Sequence, residues 1–327
     1  MPISSARLAN DFATIAAATE TPGQGASRPT FSDAWAKAVD YVVETARACD
    51  CVANTDAAGN VHLRPSVHKG ATSVWLSGSH LDSVPHGGDF DGVVGVLVPL
   101  EVFQAAHEDR RVAPPLEVIV FAEEEGTTFG LGMIGSRAWA GTLAAGQLAQ
   151  LRNAAGQSYL EAGARHGVRP DCLATERIEP SRYRGFIEVH IEQGPAMWKR
   201  EEPVSVVTAI AGRRQYQVDV AGTANHAGST KMADRRDALA AAAEMIAAIE
   251  ALPAALDPGA VATVGRIECR PNAVNVIADH VSFTIDFRAA ADDVLVRGDA
   301  AIQARLSVIS RKRGVDARIH LNESIYA

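Results

Sequence analysis

Short apolar runs alternate with longer mixed stretches through the first two thirds of the chain. Val74, Trp75 and Leu76 make a brief run, and residues 116–122 make a longer β-branched one that follows Pro114 and Pro115. Bounded runs of this kind predict buried strands. Between them, the nearly continuous apolar stretch from Val93 to Phe103 predicts a buried helix over 91–107. Upstream, residues 4–18 and 31–49 read as helices separated by the Gly/Pro-rich 21–29, with Ser32 placed to cap the second. A turn at 56–60 leads into a strand at 61–64. Over 185–192, apolar Ile187, Val189 and Ile191 alternate with Glu188, His190 and Glu192, which predicts a strand with one polar face. Strands alternating with helices predict an α/β domain whose sheet has parallel members.

From about residue 211 the grammar changes. Strands are expected at 214–220, 261–269, 280–288 and 315–325, with helices at 233–252 and 291–313. Strand-helix-strand-strand-helix-strand is the order of a ferredoxin-like α+β unit. The expected architecture is therefore a mixed-sheet α/β domain over 1–210 and a smaller ferredoxin-like domain over 211–327.

Composition narrows the field. The 327 residues are 47% hydrophobic and 21% charged, enough to build a core, and the net charge is −8. No Lys/Arg block occurs, which argues against a nucleic-acid or anionic-membrane surface. The N-terminus lacks an apolar signal core and no apolar run is long enough to span a bilayer, so a soluble cytoplasmic protein is expected. Cys49, Cys51, Cys172 and Cys269 include no C-x-x-C pair and read as reduced thiols.

Chemistry concentrates after the predicted strands. Residues 77–92 hold His80, Asp82, His86, Asp89 and Asp91 in a loop broken by Pro85 and by Gly87 and Gly88. Imidazole with carboxylate is a ligand set for zinc, manganese or cobalt. Glu123, Glu124 and Glu125 follow the strand at 116–122, and His190 lies near the end of the strand at 185–192. Ligands of open α/β sheets gather at the carboxyl ends of strands, so these groups can converge. Three adjacent glutamates after a buried strand repel one another and call for a compensating cation. Two divalent metals bridged by a carboxylate would supply it, leaving one carboxylate as base on water at the metal.

Four motifs carry a resemblance: Gly78-Ser79-His80-Leu81-Asp82-Ser83, Gly87-Gly88-Asp89-Phe90-Asp91-Gly92, Ala122-Glu123-Glu124-Glu125-Gly126, and His190-Ile191-Glu192-Gln193-Gly194-Pro195. In this order, the set resembles the dinuclear metallohydrolases of the aminoacylase/carboxypeptidase type. Within them it is most similar to the branch of N-carbamoyl-L-amino-acid hydrolases, allantoate amidohydrolases and β-ureidopropionases. The resemblance implies that His80 and His190 bind one metal, that Asp91 bridges, and that Glu125 binds the second. Glu124 would be the general base. Asp82 would accept from the His80 imidazole and fix its tautomer, a role that a turn-capping aspartate rivals. His86 and Asp89 are weaker ligand candidates.

In the smaller domain, His226 would stabilise the oxyanion, Asn275 and Arg288 would hold a substrate carboxylate, and Gln193 of the first domain would contact the ureido or carboxylate group. Arg235, Arg236 and Asp237 read as the charged start of a helix. Lys231 stands where the family usually has proline. A homodimer through the smaller, lid-like domain is implied, with the neighbour's His226 able to complete each site. The family also supplies a last histidine ligand from a returning segment, whereas residue 327 falls at the end of the small domain's last strand. The second metal site is thus expected to be incomplete. The leading reading is a hydrolase of linear C–N bonds in small ureido or amidino acids, such as an N-carbamoyl amino acid or allantoate. An aminoacylase or dipeptidase is the alternative enzyme. An inactive homologue serving only binding or dimerisation is the alternative of another class.

Overall fold

The computed structural model describes residues 2–327, which divide into two compact units, 2–203 and 204–327. The first unit opens with helices α1 (Ser5–Ala17) and α2 (Asp33–Ala48), capped by Ser4 and Ser32, whose hydroxyls accept from Arg7 N and Trp35 N. Strands β1 (Cys51–Thr55), β2 (Val61–Pro65) and β3 (Val74–His80) lead to helix α3 (Val93–Glu108) and strand β4 (Leu116–Phe121). Three short helices follow, α4 (Ile134–Trp139), α5 (Ala145–Leu148) and α6 (Tyr159–Gly163). Strand β5 (Tyr183–Ile187) and a short α7 (Ala196–Lys199) complete the unit. The sheet runs β1-β2-β4-β3-β5. β3 pairs parallel with β4 and β5, while β2 meets both β1 and β4 antiparallel. It is the mixed sheet that the alternating pattern called for.

Packing follows the pleat. Val118 and Val120 of β4 join Trp35, Val42, Leu97, Leu100 and Phe103 in the main core, whereas Ile119 packs with Leu76 and Trp139 on the other face. β3, flanked by β4 and β5, ends at the buried His80. Gly95 lets α3 lie close against the chain leaving β5, because a Cβ there would stand 2.7 Å from the Val189 carbonyl oxygen.

The second unit contains β6 (Gly212–Ala221), β7 (Asn225–His226), α8 (Ala238–Glu250), α9 (Pro253–Leu256), β8 (Val261–Thr263) and β9 (Ile267–Arg270). It continues with β10 (Val276–Ile277), β11 (His280–Ala289), α10 (Asp292–Arg313) and β12 (Asp316–Ile325). The order β12-β6-β11-β8, with β9 also on β11, is the antiparallel ferredoxin-like arrangement. Alternate residues of β6 and β11, from Tyr216, Val218 and Val220 to Phe283, Ile285 and Phe287, face α8 and α10 as a core. No helix among the described residues is long and apolar enough to cross a membrane.

Several boundaries differ from expectation, each for a local reason. The single strand expected over 261–269 is split into β8 and β9 around Gly265. The helix expected from 233 starts at Ala238, since the Asp237 carboxylate accepts from Leu239 N and Ala240 N as its cap. β5 stops at Ile187 instead of reaching 192, because its pairing with β3 ends at Ser77. Beyond that point side chains take over: Ser77 Oγ donates to Ile187 O, and Ser79 Oγ donates to Glu188 Oε1 at 2.6 Å.

Candidate metal centre

Each side chain of the centre reaches it by a different route. His80 is the last residue of β3 and is buried. Its Nδ1 lies 2.9 Å from the backbone oxygen of Asp82, so Nδ1 carries the proton and Nε2 is left with a free lone pair. Asp91 precedes Gly92, whose φ of +68° turns the chain into α3; a Cβ at 92 would stand 2.5 Å from the His80 ring. The helix thus begins at Val93, later than expected, and Asp91 sits on the turn before it. His190 belongs to the extended segment after β5, where Nδ1 lies 2.9 Å from Ile191 O and donates to it, turning Nε2 toward Asp91.

These three converge. Ligand atoms of His80, Asp91 and His190 all lie within 4.8 Å of one another, the one such group found among the described residues. His190 Nε2 is 3.2 Å from Asp91 Oδ1. That oxygen is buried and receives no well-directed hydrogen bond, while Oδ2 accepts from Gln193 Nε2 at 2.8 Å. The contact with Asp91 lifts His190 to about 9, and the contact with His190 holds the Asp91 carboxyl below its ordinary range.

The glutamates lie alongside. Glu124 Oε2 is 3.6 Å from His80 Nε2, and its side chain is 40% exposed, open to water. Burial, together with neighbouring Asp91, Glu124 and Asp82, pushes the Glu125 carboxyl up to about 7. Burial likewise brings Asp82 up to about 6. For His80, burial opposes the charged form, but the Asp82 and Glu124 carboxylates outweigh it and its pKa is raised. So dense a group of acids, with His190 Nε2 3.2 Å from an Asp91 oxygen that lacks a well-directed hydrogen bond and His80 in the same cluster, fits a divalent transition ion.

Some assignments change in detail. Asp82 was expected to accept from His80 through its carboxylate; the backbone carbonyl accepts instead, with Oδ1 at 3.7 Å. Oδ2 is engaged by Glu125 N at 3.0 Å, which ties the His80 loop to the glutamate loop. Gln193, expected on substrate, has its amide on Asp91. His86 turns to Gln24 O and stays outside the cluster. Glu123 was read only as part of an acidic run. It is wholly buried at φ +53°, and its Oε1 accepts from Thr128 N and Phe129 N, closing the loop that presents Glu124 and Glu125. Its burial directly after an apolar strand is the one signal that separated it from its neighbours.

In the second unit, the ribbon of β7 and β10 brings His226 beside Asn275, with Ala227 N donating to Asn275 O. His226 Nδ1 accepts from Gly228 N at 3.1 Å, so the exposed Nε2 carries the proton and is a donor. Arg235 holds this loop through Ala227 O and Thr230 O. On the polar face of the sheet, Arg288 Nε and Nη2 donate to Asp286 Oδ1 and Oδ2 at 2.7 and 3.2 Å.

The sequence is 40% identical over 295 residues to an N-carbamoyl-L-amino acid amidohydrolase of Geobacillus stearothermophilus, covering 90% of this chain and 72% of that protein. A crystal structure of an amidase of the hydantoinase/carbamoylase family from Burkholderia multivorans superposes with a TM-score of 0.86 at 31% identity, over 99% of this chain and 78% of the other. The chain belongs to the hydantoinase/carbamoylase family of amidases. As a member of that family it is a metal-dependent hydrolase of C–N bonds. Allantoate deiminase 1 of Glycine max is 32% identical over 288 residues, 81% of this chain and 59% of that protein. Residues 208–313 match the peptidase dimerisation domain.

Proposed function

We propose that this amidase hydrolyses ureido acids, with N-carbamoyl-L-amino acids as the principal class and allantoate-like ureido acids next. Water adds to the carbamoyl carbon and the C–N bond to the terminal nitrogen breaks, releasing ammonia; the carbamate left behind then breaks its remaining C–N bond, losing carbon dioxide and freeing the amino acid. The observation that carries the reading is the convergence of His80, Asp91 and His190 in a chain 40% identical to an enzyme named for this reaction.

His80 and His190 would hold one divalent ion through Nε2, and Asp91 would be shared with a second ion that Glu125 helps to hold. Zinc, manganese or cobalt suits this donor set. When bound, such ions polarise the carbonyl and make water acidic enough to attack near neutral pH. Glu124, exposed beside His80, takes the proton of the attacking water and returns it to the leaving nitrogen. Gln193 orients the Asp91 carboxylate. The Nε2–H of His226 donates to the oxygen that gains charge, and Asn275 and Arg288 hold the substrate carboxylate. Assembly as a homodimer through the second unit belongs to the same proposal, supported by the match over residues 208–313.

The test is ammonia release from a panel of N-carbamoyl-L-amino acids and allantoate after loading with manganese, cobalt or zinc. Turnover of N-acyl amino acids or dipeptides, with no ammonia from any ureido acid, would move the chain to the aminoacylase or dipeptidase class.

A further inference from the structure

Arg28 is wholly buried, yet no carboxylate lies within ion-pair distance of its guanidinium among the described residues. Burial accordingly lowers its pKa, with Asp89 and Asp82 exerting only a longer-range attraction. Burying a cation in this way costs several kcal/mol, roughly, and an apolar side chain of similar volume would be the more stable choice. Its hydrogen bonds indicate what the cation does. Nε donates to Leu81 O at 2.8 Å, and Nη1 donates to Ile15 O and Ala18 O at 3.1 and 3.3 Å, where α1 ends. The backbone of residue 28 is bonded to the same loop, with Arg28 N on Ser83 Oγ at 3.0 Å and Ser83 N on Arg28 O at 3.3 Å. Farther along, Ala26 and Gly87 exchange both backbone hydrogen bonds.

Arg28 therefore grips residues 81 and 83, on either side of Asp82. The Asp82 carbonyl is the acceptor that keeps the proton on His80 Nδ1, and the Asp82 carboxylate holds Glu125 N. We propose that Arg28 is a positioning residue for the metal centre, fixing the 81–83 backbone and through it the tautomer of His80 and the placement of the Glu125 loop. This inference rests on His80 being a metal ligand.

The experiment measures the dissociation constant for Mn²⁺ or Zn²⁺ by competition with a chromogenic chelator, on the full chain and on Arg28→Met, Arg28→Lys and Ser83→Ala. Melting of the metal-free proteins and the ¹⁵N tautomer signature of His80 are read in parallel. Arg28→Met is expected to weaken metal binding about 10- to 100-fold, the usual effect of losing a partner behind a ligand, and to mix the His80 tautomers. Arg28→Lys recovers part of the affinity, and Ser83→Ala weakens it severalfold. If Arg28→Met does not fold, Ser83→Ala and Arg28→Lys carry the decision. Variants that melt earlier while keeping the wild-type metal affinity and a pure His80 tautomer would overturn the proposal and make Arg28 a purely structural clasp. A wild-type chain that binds neither metal would instead overturn the metal centre itself.

Discussion

His190 Nε2 and Asp91 Oδ1 stand 3.2 Å apart, across a gap of about a hundred residues in sequence, and the oxygen has no well-directed hydrogen bond. Gln193, three residues past His190, donates to the other oxygen of the same carboxylate. The segment after β5 thus brings one side chain to each oxygen of the Asp91 carboxylate. Asp91→Asn keeps the shape and removes the charge. Metal affinity should fall more than about 100-fold, beyond the range for outer partners. Gln193→Ala should fall within that range. Isothermal titration with Mn²⁺ checks both, and equal losses in the two variants would contradict the ranking.

If Glu124 is the base proposed above, its removal separates catalysis from metal binding. Glu124→Gln should lower kcat about 10²- to 10⁴-fold, the usual share of a positioned acid–base group, while leaving metal affinity close to wild type. Paired steady-state kinetics and metal titration decide it. A parallel loss of metal would make Glu124 a ligand.

Asp286 occupies the Nε/Nη2 edge of Arg288 and is itself held by Gln215 Nε2 at 3.0 Å. In the proposed reading the other edge of the guanidinium takes the substrate carboxylate. Asp286→Asn should raise KM about tenfold with little change in kcat, the size of one charge-assisted hydrogen bond. A fall in KM would show that Asp286 competes with substrate.

Much of this centre was legible before any fold was known. The apolar runs at 74–76 and 116–122 located β3 and β4, and the alternation over 185–192 found β5 but overran its end at Ile187, while physical cost singled out the glutamates that follow β4. Helix starts shifted where a single residue decided the matter, as at Gly92 with φ +68° and at Asp237, whose carboxylate caps α8. What the pattern could not show were partners set by distant contacts. Arg28 and Leu81 are 53 positions apart, and no periodicity links a buried arginine to a carbonyl. The Gln193 amide and the Asp82 carbonyl act through loop backbone geometry, which residue type does not encode.

Stability offers an independent check on the first unit. Buried Glu101 accepts from Arg7 Nε and from the Ser4 amide, both at 2.7 Å. Burial raises its carboxyl, but the Arg7 and Ser4 hydrogen bonds outweigh that, so its pKa lies below the ordinary 4.5. A depressed carboxyl contributes fully above its unfolded value, and the contribution fades as pH falls through the folded value. Glu101→Gln should cost about 2–3 kcal/mol at neutral pH, less than a fully buried pair because Arg7 is partly exposed. Urea melts should show the gap narrowing below about pH 4. A gap that widens with acid would contradict the ion-pair account.

The most direct test of the whole account follows ammonia release from an N-carbamoyl-L-amino acid by one preparation in three states: metal-loaded, stripped with chelator, and stripped then reloaded with Mn²⁺, Co²⁺ or Zn²⁺. The account predicts release in the first state, its loss in the second, recovery in the third, and no recovery for His190→Ala. Release that persists in the stripped protein, or that His190→Ala recovers in full, would contradict it.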